Sequence, residues 1–514
     1  MTHRRYLSED AAHHGASVTA REMRDWWPSS GSADSDVLPD LDMLRVRSRD
    51  LGRNNAMLSG AIQTQIDNIV GPVLRLAARP NARLLGWSES EAAAWARHVE
   101  ALWRDYAESP TFSAAGDRDF HAATETMLRG ALLSGDALAL PLWLPDRAGT
   151  RWATAHQIVE GDRLSNPGDC MDTGTLRGGI ETSRHGQPLA YHIRRSHPGD
   201  AIYRPQDVTW ARVPAQTRWG RPRVIHLCDA QRPGQRRGVP IASTVMGALK
   251  LSGHYQLTEL QASLVNAKIA AIIESTLDGQ EIAQMFGAEP ADLLEAYNGW
   301  RGNLDSGAFI QVPVGAKVGG FAPQRPATAY ASFMRHIANE ISVGMNMPGL
   351  LVTKDFSEVN FSSARAALLE AWRHFHGRRR WLTSRWCNQV YAVWLEEAVN
   401  RGLVEAPEFY AARNAYCGAQ WIGVGHLPID PVKTARANEI KLATNQTTLQ
   451  AVYAEVGEDW EEAVAQRARE RQHLASLGLV DSEILPVDVD DDENDENDDD
   501  DEDENNPPPQ RPYE

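Results

Sequence analysis

The sequence predicts an α+β fold, and three observations carry that prediction. Apolar residues recur at helical spacing over several long stretches on either side of the chain's middle. Between them, from Ala137 to about Asp229, short apolar runs such as ALALPLWL, AYHI and VIHL alternate with Gly, Pro, Asp and Asn, the texture of strands joined by turns. No apolar run reaches the roughly 18–20 residues of a membrane span.

In chain order, residues 1–40 mix charge with Ser, Gly and Pro around WWPSSGSADSD and read as a flexible arm anchored by Trp26 and Trp27. Leu51, Leu58, Ile62, Ile66 and Ile69 then share a helical stripe that stops at Gly71-Pro72. A helix over about Glu89–Glu108 carries Trp95, Val99, Leu102, Trp103 and Tyr106, and a third over 117–134 turns Phe120, Met127, Ala131 and Leu132 inward. The β-rich module follows and closes at RPGQRRGVP. A proline-free helical stretch runs from Ile241 to about Ala267. Two strands, KIAAIIES and GAFIQVPV, flank a helix near Pro290–Trp300, and another helix over about Ala327–Asn346 stops at Met347-Pro348.

From Phe361 to Gly402 the stripe of Leu368, Trp372, Phe375, Leu382, Trp386, Val390 and Trp394 predicts a helix about 60 Å long if unbroken. Gly377, ahead of three arginines, is the expected bend. Two last helices are expected at about 431–445 and 459–476, and the tail beyond Pro486 is acidic low-complexity sequence.

Charge is unevenly placed. Of the net −17, fourteen negative units lie between Asp488 and Glu504 with no basic residue among them, so the rest of the chain is nearly neutral. That lacks the bulk basic signature of a sequence-specific nucleic-acid binder. The tail reads as a solvated, self-repelling solubility segment. Cys170, Cys228, Cys387 and Cys417 are far apart and form neither a disulfide framework nor a zinc site. No apolar signal segment opens the chain, so a cytoplasmic protein is expected.

The search for chemistry returns little. A Walker A loop, a GxSxG elbow and an HExxH pair are all missing. His374 and His376 are two apart on a helix and point about 200° from each other, so one ion cannot bind both. Asp136 after Gly135 and Asp162 after Gly161 are either catalytic carboxylates or, more commonly for Gly-Asp, turn devices. Arg378, Arg379 and Arg380 read as a solvated or intersubunit ion-pairing face, with DNA phosphates as the sharper alternative. No enzyme, no metal and no cofactor is expected.

Five phrases nonetheless carry a resemblance: LRVRSRDLGRNNAMLSGAIQTQIDNIVGP (44–72), LLSGDALALP (132–141), the set VEGDRLSNP, GIETSRHGQPLAYHIRRSHPGD and VIHLCDAQRPGQRRGVP (159–240), MPGLLVTKDFSEVNFSSARAALLEAWRHF (347–375), and IDPVKTARANEIKLATNQTTL with EVGEDWEE. In this order, over about residues 22–480, the chain resembles the lambda family of tailed-phage portal proteins.

The resemblance implies a portal-type subunit with an α/β wing, two-helix stem, β-rich clip and α-helical crown. Its regions fall at 41–116 (wing), 117–134 (first stem helix), 135–240 (clip), 241–267 (second stem helix), 268–359 (wing, second part), 360–480 (crown) and 481–514 (acidic tail). It implies a ring, usually of twelve, at one capsid vertex, assembled in the host cytoplasm and kept in the virion. Double-stranded DNA passes through it non-specifically, and terminase, head-completion, scaffold and major capsid proteins are its partners. On this mapping Tyr330, Arg335 and Asn339, on the 326–346 helix and loop, narrow the channel. Arg236 and Arg237 serve the clip, and Arg378, Arg379 and Arg380 a crown contact. The second stem helix carries only Lys250, His254 and Glu259 as charged or histidine side chains, which suits close packing between neighbours. The competing readings are a capsid-assembly adaptor that forms no ring, and a phage DNA-processing enzyme.

Overall fold

The computed structural model describes residues 13–200, 208–268, 272–275, 316–319, 330–357, 360–423, 425 and 431–478. Two helices open the body, α1 (Ala33–Asn54) and α2 (Ala56–Ile69). Ser32 caps α1, with Asp34 and Asp36 in the first turn where the helix dipole favours them. Asn55 ends one helix and starts the next: its N–H donates to the Leu51 carbonyl at 2.8 Å, and its side-chain oxygen accepts from the Leu58 N–H at 3.1 Å. Strand β1 (Arg75–Ala78), the short α3 (Ala82–Leu85) and α4 (Glu89–Ala107) follow, α4 starting in a Ser88/Glu91 capping box. Helix α5 (Phe120–Ser134) is capped by Asp119 and ends at Gly135.

The β module comprises β2 (Asp136–Trp143), β3 (Thr154–Glu160), β4 (Leu176–Arg177), β5 (Ile180–Thr182), β6 (Pro188–Arg194), β7 (Trp210–Pro214) and β8 (Ile225–Cys228). It forms two antiparallel sheets, ordered β3-β2-β8 and β4-β5-β6-β7. Strand β2 serves both cores by its pleat: Ala137 and Ala139 face the main core, while Leu138 joins a second with Val159, Leu164, Ile180, Tyr191, Ile193 and Val224.

Beyond the module come α6 (Met246–Lys268), the antiparallel pair β9 (Ile272–Ser275) and β10 (Ala316–Gly319), α7 (Tyr330–Gly344), the short α8 (Gly349–Thr353) and α9 (Phe361–Leu382). The expected strand GAFIQVPV and the helix near 290–300 lie outside the described residues. Helix α9 continues unbroken through Gly377, where the bend was expected. The irregularity is a π-helical turn over Thr383–Cys387 that leads into α10 (Asn388–Asn400). Gly377 faces open space, so nothing at that point pushes the helix off its axis. Helix α11 (Arg413–Tyr416) and β11 (Ala419–Ile422) follow. β11 pairs with β1, tying the two ends of the body together. Helices α12 (Pro431–Ala443), α13 (Leu449–Glu455) and α14 (Trp460–Ser476) complete the described chain.

The main core is aromatic. Trp103 of α4 packs edge-on against Tyr106, Phe120, Tyr391, Trp394 and Trp421, at centroid distances of 5.2–5.8 Å. Trp386 is fully buried and donates its indole N–H to the Thr124 hydroxyl at 2.8 Å. The stripe read over 368–394 therefore packs α9 against α2 and joins the π turn and α10 to α5 and α4.

One anchor of this core is a carboxylate. Glu397 has a side chain with no exposure, and its two oxygens accept from the Ala153 and Thr154 N–H groups at 2.8 Å each, with Arg401 at 2.9 Å. Glu397→Ala strands two buried N–H groups at the start of β3. It is expected to cost about 3–4 kcal/mol, read as a lowered urea midpoint, with Glu397→Gln losing less because one acceptor oxygen survives.

Candidate assembly surface and the charged clamp

Helix α6 is rooted in the core by Val245, Met246 and Leu249, and Asn55 donates to the Leu249 carbonyl at 3.3 Å. Farther out its polarity is inverted. Leu257, Leu260 and Leu264 fall within about 60° of one another round the helix, and they are 53%, 58% and 54% exposed. Ser252 and Glu259, on another face, are buried. A helix that shows leucines to solvent and hides a carboxylate is unfinished in the single chain.

Its companion is α7. Tyr255 stacks on Tyr330 at 5.6 Å and meets Phe333 edge-on at 5.2 Å. Helix α7 buries Ile337, Ala338, Ile341 and Ser342, and leaves Phe333 and Val343 exposed.

The helix expected to pair with 241–267 meets it at its start, Ile241–Thr244. Helix α5 is built into the main core, burying eight of its residues against α1, α2 and the β2 sheet.

Of the proposed channel residues, Tyr330 is thus half-buried in the ring stack on α6, while Arg335 and Asn339 are exposed on α7. The clip residues are internal. Arg237 is 2% exposed and spends its guanidinium inside the subunit: Nε donates to Asp136 at 2.5 Å, Nη2 to the Gly161 carbonyl at 2.6 Å, and Nη1 to the Leu164 and Gly178 carbonyls at 2.6 and 2.8 Å. In place of the partner contact expected of it, Arg237 makes internal contacts, since its guanidinium is spent on these bonds inside the subunit. Arg236 donates to the Thr175 and Ile180 carbonyls at 3.2 Å each and pairs with Asp34 at 3.4 Å, holding α1 against the module.

Asp136 is the centre of this clamp. Its fully buried carboxylate also accepts from Arg45 at 2.7 Å and faces His226 at 3.3 Å. Burial pushes the carboxyl up, but Arg237, Arg45 and His226 outweigh it and hold it well below the usual carboxylate range. Beside it Arg49 grips Asp162 through both guanidinium nitrogens. Two glycines make the approach possible: Gly135 has φ +87°, and a Cβ on Gly238 would lie 1.8 Å from the Gly135 carbonyl oxygen. Both Gly-Asp carboxylates raised by the sequence are therefore held in structural ion pairs.

The arginine run divides three ways. Arg378 pairs with Asp229 at 2.6 Å and lies over the Trp381 ring. Arg379 is buried and donates to the Ile69 and Asn68 carbonyls at 2.8 Å each, capping the end of α2. Arg379 is thus spent inside the subunit, whereas Arg380 is exposed. His374 sits 2.8 Å from the Asn346 amide and His376 beside the Trp372 ring. Among the described residues no group of three or more His, Cys, Asp or Glu is placed to hold a metal, and no helix is long and apolar enough to cross a membrane.

The described chain thus pairs an outward apolar face on a firmly rooted helix with prominent carboxylates tied into internal ion-pair clamps. Comparison with known proteins supplies the family. The family model for phage portal protein, lambda family, matches residues 19–379. Portal protein B of Escherichia phage lambda and the portal protein of Escherichia phage N15 are each 32% identical over 495 residues, covering 92% of this chain and 92% of theirs. A probable portal protein of Halomonas phage phiHAP-1 is 21% identical, covering 88% of this chain and 84% of its own. Among solved structures, the neck of an empty GTA particle computed with C6 symmetry aligns with a TM-score of 0.42 at 12% identity, over 79% of this chain and 89% of that one. The chain belongs to the lambda family of phage portal proteins, a structural rather than an enzymatic family.

Proposed function

We propose that this chain is the ring subunit of a portal vertex, a conduit for DNA during packaging and ejection and a docking site for terminase and for head-completion proteins. The observation that carries the reading is the outward stripe of Leu257, Leu260 and Leu264 on α6. Three half-exposed leucines on one projecting face want a neighbour, and a heterologous contact repeated by rotation closes a ring. We assign the stem to α6 and α7, in place of the pairing of 117–134 with 241–267, because α5 is enclosed by its own core. The segment joining the far ends of α6 and α7 then takes the clip position. The β module of 135–240 joins the wing, and the crown is confined to the helices after β11. Near-neutral charge outside the tail suits a conduit, since each phosphate held by Lys or Arg adds salt-dependent affinity and drag.

The test is negative-stain electron microscopy of the purified full chain, with subunits counted in end views. Rings, expected with twelve subunits and an axial hole wide enough for duplex DNA, support the reading. Monomers that persist at high concentration overturn it and favour a non-ring adaptor.

A further inference from the structure

Helices α13 and α14 lie over the outer face of α4 without burying a residue of their own. Val452, Tyr453, Trp460 and Ala463 are partly buried there, and the charged contacts are ion pairs. Glu462 pairs with Arg104 at 3.0 Å and with Arg75 at 3.7 Å, and Glu461 pairs with Arg79 at 4.0 Å. Gln450 donates its amide N–H to Gln420 at 3.0 Å. All the charged partners are substantially exposed, the setting in which ion pairs are weak and screened by salt. Beneath them a groove of about 1090 Å³ separates α14 from α4.

Glu100 lines this groove, its Oε1 accepting from the Ala78 N–H at 2.7 Å. We propose that the α13–α14 pair is a latch, held across the groove by screened ion pairs and lifted, with the body still folded, when the groove's charge changes. The inference stands apart from the ring reading, since it concerns one chain alone.

The charges facing Glu100 set the direction. Arg75 and Arg79 come from β1 and its end, Arg97 and Arg104 from α4, and Asp459, Glu461 and Glu462 from α14. Glu89, Glu458 and Glu470 with Arg467 and Arg469 line the outer groove, and Glu108, Asp119 and His121 the adjoining hollow. With Glu100 neutral, four cations meet the three carboxylates of α14. With Glu100 ionised that excess is gone, and Asp459 and Glu462 face a like charge. Burial raises the Glu100 carboxyl to about 7, with Asp459 and Glu462 adding to the rise and the Ala78 N–H and Arg79 opposing it. Lifting α14 wets Glu100 and returns it towards 4.5. The docked form therefore binds more protons between those values, and docking weakens as pH rises through that window and levels above about 7.

Hydrogen exchange of the full chain, read by mass spectrometry and corrected for intrinsic rates, tests this. Opening of 449–476 is expected to rise roughly tenfold from pH 5.5 to 7.5 and to rise again with added salt, while peptides of α2 stay protected. Glu100→Gln keeps an acceptor for the Ala78 N–H and is expected to abolish the pH response but not the salt response. Glu462→Gln, at an exposed position, is expected to flatten the salt response. Protection of 449–476 that ignores both pH and salt, or that changes only in step with α2, overturns the latch.

Discussion

Asp136→Asn is expected to destabilise the subunit by about 3–5 kcal/mol, the range for removing one partner of a buried ion pair. The carboxylate is the shared acceptor of Arg45, Arg237 and His226, and its side chain has no exposure. An amide keeps the shape but loses the charge, and its NH2 turns donors towards guanidinium donors. Arg237 keeps three backbone carbonyls and Arg45 keeps the Ser134 carbonyl at 2.9 Å, so neither loses all its hydrogen bonds, only the counter-charge. Urea unfolding at pH 7 checks this through a lowered midpoint. The acid limb supplies a second reading. A carboxyl depressed in the folded state adds stability above its unfolded value near 3.9, and that stability is lost as pH falls towards the folded value. The gap between wild type and variant should therefore narrow as pH drops below about 4. Equal midpoints at pH 7 would show that the clamp contributes nothing.

This clamp also marks the limit of what the sequence discloses. Helices were legible to within a few residues: 89–108 is found at Glu89–Ala107, 431–445 at Pro431–Ala443 and 459–476 at Trp460–Ser476. For α4 the apolar spacing follows from burial on one face, while α12 and α14 bury no residue. Charged residues inside the fold were not legible. Arg45, Arg237, Arg379, Glu396 and Glu397 are all buried, yet an arginine or glutamate in a periodic pattern reads as surface until its partner is known. Those partners lie far off in sequence, as Arg45 is from Asp136 and Arg379 from Asn68. The RPGQRRGVP phrase lies between β8 and Ile241, and only the approach of Gly238 to Gly135 shows that it closes over Asp136. The Leu257, Leu260 and Leu264 stripe was present in the sequence too. It carries no sign of which way it faces, because an outward apolar stripe and an inward one have the same period.

Leu260→Asp is expected to abolish rings while leaving the subunit folded. Leu260 is already 58% exposed, so the change removes little packing from the single chain, and a surface substitution away from special features usually stays within about 0.5 kcal/mol. In the proposed ring the same position is covered by a neighbour. There the aspartate forfeits an apolar contact worth about 1–2 kcal/mol and adds the larger cost of an unpaired charge moved out of water. A closed ring repeats that penalty at every interface, so it multiplies with subunit number. Light scattering after size exclusion should report a monomer for Leu260→Asp, with a thermal unfolding curve matching the isolated wild-type subunit. Leu84→Asp places the same charge on another leucine, 74% exposed on α3, and is expected to keep the rings. If Leu260→Asp still forms rings as wild type does, the interface lies elsewhere and the stripe has some other partner, although the ring itself stands. If both variants fail to assemble, added negative charge on any exposed face is enough to prevent closure, and the claim for α6 loses its support.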